Sequence, residues 1–240
     1  MRTNSGNNML KKIIYAITAV LVLISIYLVF FIAPIPIDPG SAAGDPNNFK
    51  IFYFHIPIAI SAYLSFAIVF VSSILYLRSK NQKWDMLSLS AAEVGVVFAF
   101  LTLVTGSIWG KSAWNAYWVS WDVRLNTSLI LFLIYLSYLM IRQAVEEPEK
   151  RARLSAVFGI IGFISVPISF LSVRFYSKMH PCVVPPCPSG GGGGIGGVVL
   201  YYLLFNFVAY FLLAATLIML RMDNEELREK ANELKRKDNL

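Results

Sequence analysis

Residues 11–32, KKIIYAITAVLVLISIYLVFFI, open with two lysines and then continue for twenty residues without a charge. About 20 apolar residues is what a helix needs to cross the hydrocarbon of a bilayer. The run outlasts the apolar centre of a secretory leader, so 12–33 reads as a retained spanning helix. The pattern repeats along the chain. Further apolar runs near 52–77, 86–108, 123–141, 154–174 and 198–220 predict an all-α integral membrane protein with six transmembrane helices. Composition agrees, with 57% of residues hydrophobic and 15% charged, against about 25% charged in a soluble domain. The net charge of +7 is compatible with nucleic acid. A nucleic-acid binder, however, gathers its Lys and Arg on one soluble face, and here they fill short gaps between apolar runs.

Those gaps also set the orientation. Sixteen of the 21 Lys and Arg residues fall in the N-terminal segment, the gaps at 78–85 and 142–153, and the C-terminal tail. Lys50, Lys111, Arg124, Arg174 and Lys178 make up the other side. The positive-inside rule then makes both termini cytoplasmic. The segments 34–51, 109–122 and 175–197 face outward. Residues 1–221 form one six-helix domain, and 222–240 read as a charged, solvated cytoplasmic tail.

The outer segments carry the chemistry. In GSIWGKSAWNAYWVSWD, residues 106–122, lie four of the five tryptophans: Trp109, Trp114, Trp118 and Trp121. Trp114, Trp118 and Trp121 are spaced i, i+4, i+7, one face of a short helix lying along the outer surface. Lys111, Asn115 and Ser120 would then meet water or headgroups. The indoles form either an interfacial aromatic belt or a platform for a flat apolar ligand. A belt spreads over many helix ends, whereas here the other outer ends have no tryptophan and Trp84 lies on the inner side.

The two histidines flank this segment. His55, in IFYFHIPIAI, is expected at the start of the second helix, with Pro57 in its first turn. The positive end of the helix dipole there disfavours imidazolium. A neutral His55 is either a hydrogen-bonded capping or core residue, or a lone-pair donor to a metal. His180, in SVRFYSKMHPC, follows the fifth helix on the same side. A planar macrocycle ligated on both faces takes its ligands from separate segments, and this pair fits that need. Asp122 suits the N-cap of the fourth helix. Lys111, Arg124, Arg174 and Lys178 offer cations, either to haem propionates or to lipid phosphates.

Other features stand apart from this cluster. Glu93 lies inside the third helix with no partner visible in sequence, which invites a functional reading or a protonated carboxyl bonded to a serine. Pro167 should kink the fifth helix. Cys182 and Cys187, in HPCVVPPC, do not form the C-x-x-C-H of a c-type haem site. They are either a short-loop disulfide or thiols. SGGGGGIGG, residues 189–197, is a flexible linker by composition.

YFHIPIA (53–59), LVTGSIWGKSAW (103–114) with YWVSWDVRL (117–125), and SVRFYSKMH (172–180) resemble the CcmC-type haem-handling family of cytochrome c maturation. The resemblance covers about residues 50–221 and includes the family's tryptophan-rich WWD motif. It implies that segment 109–122 holds non-covalent haem b at the outer surface. Trp109, Trp114, Trp118, Trp121, Asp122, Lys111, Arg124 and Arg174 would surround it, and His55 and His180 would be the axial iron ligands. It further implies a CcmE-like haem chaperone as recipient, ABC transporter subunits of the CcmA/CcmB type and a small CcmD-like membrane protein as partners. A prokaryotic plasma membrane is the implied location, and no catalytic turnover is implied. The chain departs from the family where Trp-x-Trp-Asp becomes Trp118-Val119-Ser120-Trp121-Asp122, and where a common glycine is Asn115. The alternatives are a larger CcsA-type haem ligase relative and a b-type redox cytochrome. The ligase relative is expected to carry further intramembrane histidines, and transmembrane electron transfer generally needs four. This chain has two.

Overall fold

The computed structural model describes residues 2–35, 46–176 and 197–238, and these are helical throughout apart from connecting turns. Helix α1 is Arg2–Tyr27, prolonged by a π turn at Leu28–Ile32. A 3-10 turn, Pro46–Phe49, leads into α2 (Lys50–Ser79), followed by α3 (Gln82–Trp114) and α4 (Val123–Ala144). Then come α5 (Pro148–Gly162), α6 (Ser165–Tyr176) and α7 (Val198–Asp238). Among the described residues six stretches are long and apolar enough to span a membrane, with α5 and most of α6 together supplying one of them, Pro148–Ser172.

The expected kinked fifth helix is therefore two helices. Pro167 has no N–H to donate to the carbonyl of Phe163, and its ring crowds that carbonyl. The chain turns at Phe163–Ile164, where the proline's partner lies, and Pro167 sits in the first turn of α6.

The core is built on the α2–α3 hairpin. Lys80 closes α2 in the left-handed region, φ 56°, with its N–H on the Tyr76 carbonyl at 2.8 Å. Asn81 then caps α3, its side chain accepting from the Lys83 N–H at 3.0 Å. The buried residues of these two helices include many small ones, among them Ser61, Ala62, Ser65 and Ser73 on α2 and Ala91, Ala92, Gly95 and Ala99 on α3. Lipid tails are as apolar as leucine, so membrane helices gain by close approach of backbones rather than by burying large side chains. A Cβ on Gly95 would fall 2.5 Å from Cε1 of Phe66. Phe66 has no room to withdraw, because it is fully buried and stacked on Tyr135 with centroids 3.6 Å apart. Gly95→Ala is expected to destabilise the bundle by about 1–3 kcal/mol, the usual cost of overpacking. Thermal unfolding in detergent measures this, and an unchanged midpoint would show that Phe66 can yield.

Helix α1 is mostly apolar outward, with Ile13, Ile17, Val20 and Leu23 exposed. Polar groups at seven-residue intervals tie it to α7. Lys11 Nζ donates to Asp223 at 2.6 Å. Thr18 and Thr216 share a hydrogen bond of 3.0 Å, and Ser25 Oγ donates to Asn206 Oδ1 at 2.5 Å. The descending partner numbers show that the two helices run antiparallel.

Two ion pairs correct the sequence reading. Glu93 is not alone: Arg221 of α7 grips it through two nitrogens, NH2 on Oε1 at 2.9 Å and Nε on Oε2. Arg142, expected in an inner loop, is a buried residue of α4 that binds both oxygens of Asp85, at 2.6 and 2.7 Å. Tyr138 Oη, Ser88 Oγ and Ser73 Oγ extend this cluster in steps of 2.8 and 3.2 Å. Glu93 precedes Trp114 by 21 residues of α3, about 31 Å at 1.5 Å per residue. One hydrocarbon thickness thus separates the ionic end of the bundle from the tryptophan end. Helix α7 passes residue 221 without a break and continues to Asp238.

Candidate functional site

At the tryptophan end, α2 starts earlier than the sequence suggested. The 3-10 turn at 46–49 feeds straight into Lys50, so His55 is the sixth residue of α2 and Pro57 lies inside the helix. Asn48 Nδ2 donates to Ser112 Oγ, fastening this entry to α3. Lys50 Nζ reaches the Phe30 carbonyl at 2.9 Å and Tyr53 Oη the Pro34 carbonyl at 2.8 Å, which fixes the other side to the end of the first span.

His55 is half-buried against α3. Its Nδ1 is 2.7 Å from Thr105 Oγ1. The next residue, Gly106, makes room for the ring: a Cβ there would stand 3.2 Å from Cε1 of His55. Trp109 is four residues beyond Thr105, one turn further along the same face of α3. The histidine and the first tryptophan of the cluster are thus neighbours in level, set by one helix. Neither Thr105 nor Gly106 was singled out from the sequence.

The tryptophan segment itself is not the short helix that the i, i+4, i+7 spacing suggested. Helix α3 extends to Trp114 and stops at Asn115, whose φ is 57°. Asparagine is one of the few residues that tolerate this left-handed cap. Residues 115–122 then form an irregular loop, so Trp114, Trp118 and Trp121 do not share a helical face. Trp109 and Trp114, both on α3, meet edge to face at 5.1 Å. Gly110 lets this end fold back, since a Cβ on it would crowd the Trp114 ring at 3.3 Å and the Ala116 carbonyl at 3.2 Å. Trp118 is half-buried, whereas Trp121 is 70% and Tyr117 63% exposed. The end of α3 therefore carries a packed indole pair, and the loop after it carries exposed aromatic rings.

Asp122 holds the far end of the loop. As expected it caps α4, accepting from the Leu125 N–H at 3.0 Å, and it is buried. Asn126 Nδ2 adds a bond to the Ser120 carbonyl at 2.7 Å. Lys111 bends over the α3 terminus to Asn115 Oδ1 at 2.8 Å and sits 5.6 Å from the Tyr117 ring centre. It serves first to close the helix end, where a cation suits the negative pole of the dipole. Arg124 is half-buried in the first turn of α4. Arg174 belongs to α6, and nothing is described of its side chain. His180, Lys178, Cys182, Cys187 and the glycine-rich linker lie outside the described residues.

Fold and site together define a polytopic helical membrane protein with a histidine-bearing aromatic surface at one end of its bundle. The model of the heme exporter protein C family matches residues 3–237. A ccmC-like mitochondrial protein of cytochrome c biosynthesis from Marchantia polymorpha is 36% identical over 156 residues, 65% of this chain and 63% of its own length. Heme exporter protein C of Bradyrhizobium diazoefficiens is 34% identical over 185 residues, 77% of this chain and 69% of that protein. The Escherichia coli K12 protein of the same name is 30% identical over 178 residues, 74% and 70% of the two chains. This chain belongs to the heme exporter protein C family.

Proposed function

We propose that the chain holds haem at the membrane surface formed by the 109–122 segment and passes it on for cytochrome c maturation. In this reading His55 and His180 ligate the iron of a non-covalent haem b. Trp109, Trp114, Trp118 and Trp121 supply apolar area beside the macrocycle, and Arg124 and Arg174 meet its propionates. Lys111 and Asp122 brace the loop that carries the rings. The observation that carries the proposal is the seating of His55 between Thr105 and Gly106, one turn from Trp109. A nitrogen ligand and an aromatic wall are thereby set on rigid helices rather than on the loop.

Among the described residues, the cavity beside the first span is too small for a porphyrin. The cavity between α1, α2 and α7, lined by Ser25, Val29, Phe54, Asn206 and Tyr210, measures about 210 Å³. Ligand pockets for drug-sized molecules begin near 300 Å³, and a porphyrin needs more. Haem held at an exposed aromatic edge remains within reach of a CcmE-like chaperone. By the positive-inside argument that edge faces out of the cytoplasm. CcmA/CcmB-like transporter subunits and a CcmD-like small protein complete the proposed assembly in a prokaryotic plasma membrane.

The test is optical. Protein purified from cells with a raised haem supply is expected to show the low-spin Soret and α/β bands of bis-histidine haem, at no more than one haem per chain. A high-spin spectrum, or no retained haem, would overturn the ligand assignment.

A further inference from the structure

We infer that Thr105 is a positioning residue for the haem site: it holds His55 in the tautomer with hydrogen on Nδ1, which commits Nε2 to the iron. The inference rests on the proposed role of His55.

Thr105 Oγ1 has one proton to donate. It lies 2.8 Å from the Leu101 carbonyl one turn back in α3, the back-bond that threonine characteristically makes inside a helix. The Thr102 carbonyl, at 3.4 Å, lies nearby as a weaker acceptor. His55 Nδ1 approaches the same oxygen to 2.7 Å. With its proton turned to the helix carbonyls, the hydroxyl presents a lone pair to the imidazole, and Nδ1 must supply the hydrogen. A neutral imidazole protonated on Nδ1 keeps its in-plane lone pair on Nε2. Ligating histidines usually donate their second N–H to a carboxylate, carbonyl or water, which fixes ring orientation and raises ligand basicity. Here a hydroxyl takes that place, anchored to its own helix. The sequence places the acceptor on the residue before Gly106, so one helical turn both orients the ring and leaves it space.

The test uses the full chain with 15N-labelled histidine in detergent, first free of haem. The His180→Ala background leaves His55 as the single histidine and removes the assignment problem. The expected spectrum shows a protonated Nδ1 and an unprotonated Nε2. Thr105→Val, which keeps the side-chain shape without the hydroxyl, is expected to lose this preference, and Thr105→Ser to restore it. In otherwise unaltered protein, Thr105→Val is expected to lower haem affinity about 10–100-fold, the effect of losing an outer-shell partner, with Thr105→Ser recovering most of it. A His55 that keeps the Nδ1–H tautomer in Thr105→Val overturns the inference. A tautomer that shifts while haem affinity stays level would instead overturn His55 as the ligand, and with it that part of the proposed function.

Discussion

The double variant His55→Ala, His180→Ala is expected to retain no low-spin haem, and each single variant to bind far more weakly than the unaltered chain. Losing an outer-shell partner lowers affinity roughly 10–100-fold, and losing an iron ligand removes more than that. The substitution at His55 is gentle on the fold. The residue lies within α2, where alanine is the best helix former, and the bond to Thr105 Oγ1 goes with the ring. Helical content by circular dichroism is therefore expected to stay unchanged, so haem loss would report on ligation rather than folding. Haem titration followed by the Soret band measures the effect. Full occupancy in the double variant would sink the axial-ligand proposal and return His55 to a purely structural role.

The second large effect lies at the opposite end of the bundle. Asp85 and Arg142 are both under a tenth exposed and joined by two short bonds. Removing one partner of such a pair leaves an uncompensated buried charge, at a cost of about 3–5 kcal/mol. Asp85→Asn keeps the volume but strands the guanidinium, and a marked fall in thermal stability in detergent is expected. Replacing both, as in Asp85→Leu with Arg142→Leu, should recover most of the loss, because an apolar pair carries no such charge. A double-mutant cycle read by thermal unfolding separates the terms. A stable Asp85→Asn protein would show that water reaches this pair. Glu93–Arg221 is a contrasting control, since about a third of each side chain is exposed and Arg221 also lies 2.8 Å from Glu225, which would still offset its charge if Glu93 were lost.

Much of the architecture was legible because the hydrophobic requirement of a bilayer is written locally. Six runs of suitable length became six candidate spans. The cap at Asp122 was legible for the same reason, being a matter of a few consecutive residues. Misreadings arose where spacing was read without its stop signals. The tryptophan repeat of 114, 118 and 121 has helical period, but Asn115 interrupts it with a left-handed backbone. The signal was present: asparagine, like glycine, is a residue that ends helices in this conformation. Likewise Pro167 announced a disturbance in the fifth span, but its effect falls at the carbonyl four residues earlier, which makes a break rather than a kink.

Partnerships were the part that sequence withheld. Glu93 and Arg221 are separated by 128 positions, Asp85 and Arg142 by 57, and His55 and Thr105 by 50. By itself the sequence determined a six-span helical membrane chain, its tryptophan-rich segment and its two histidines, because length, polarity and residue type are properties of short windows. Only the tertiary structure decided which oxygen meets His55 and which charge neutralises Glu93. Those outcomes depend on how α2, α3 and α7 approach one another, and close packing of small residues carries no one-dimensional signature of its partner.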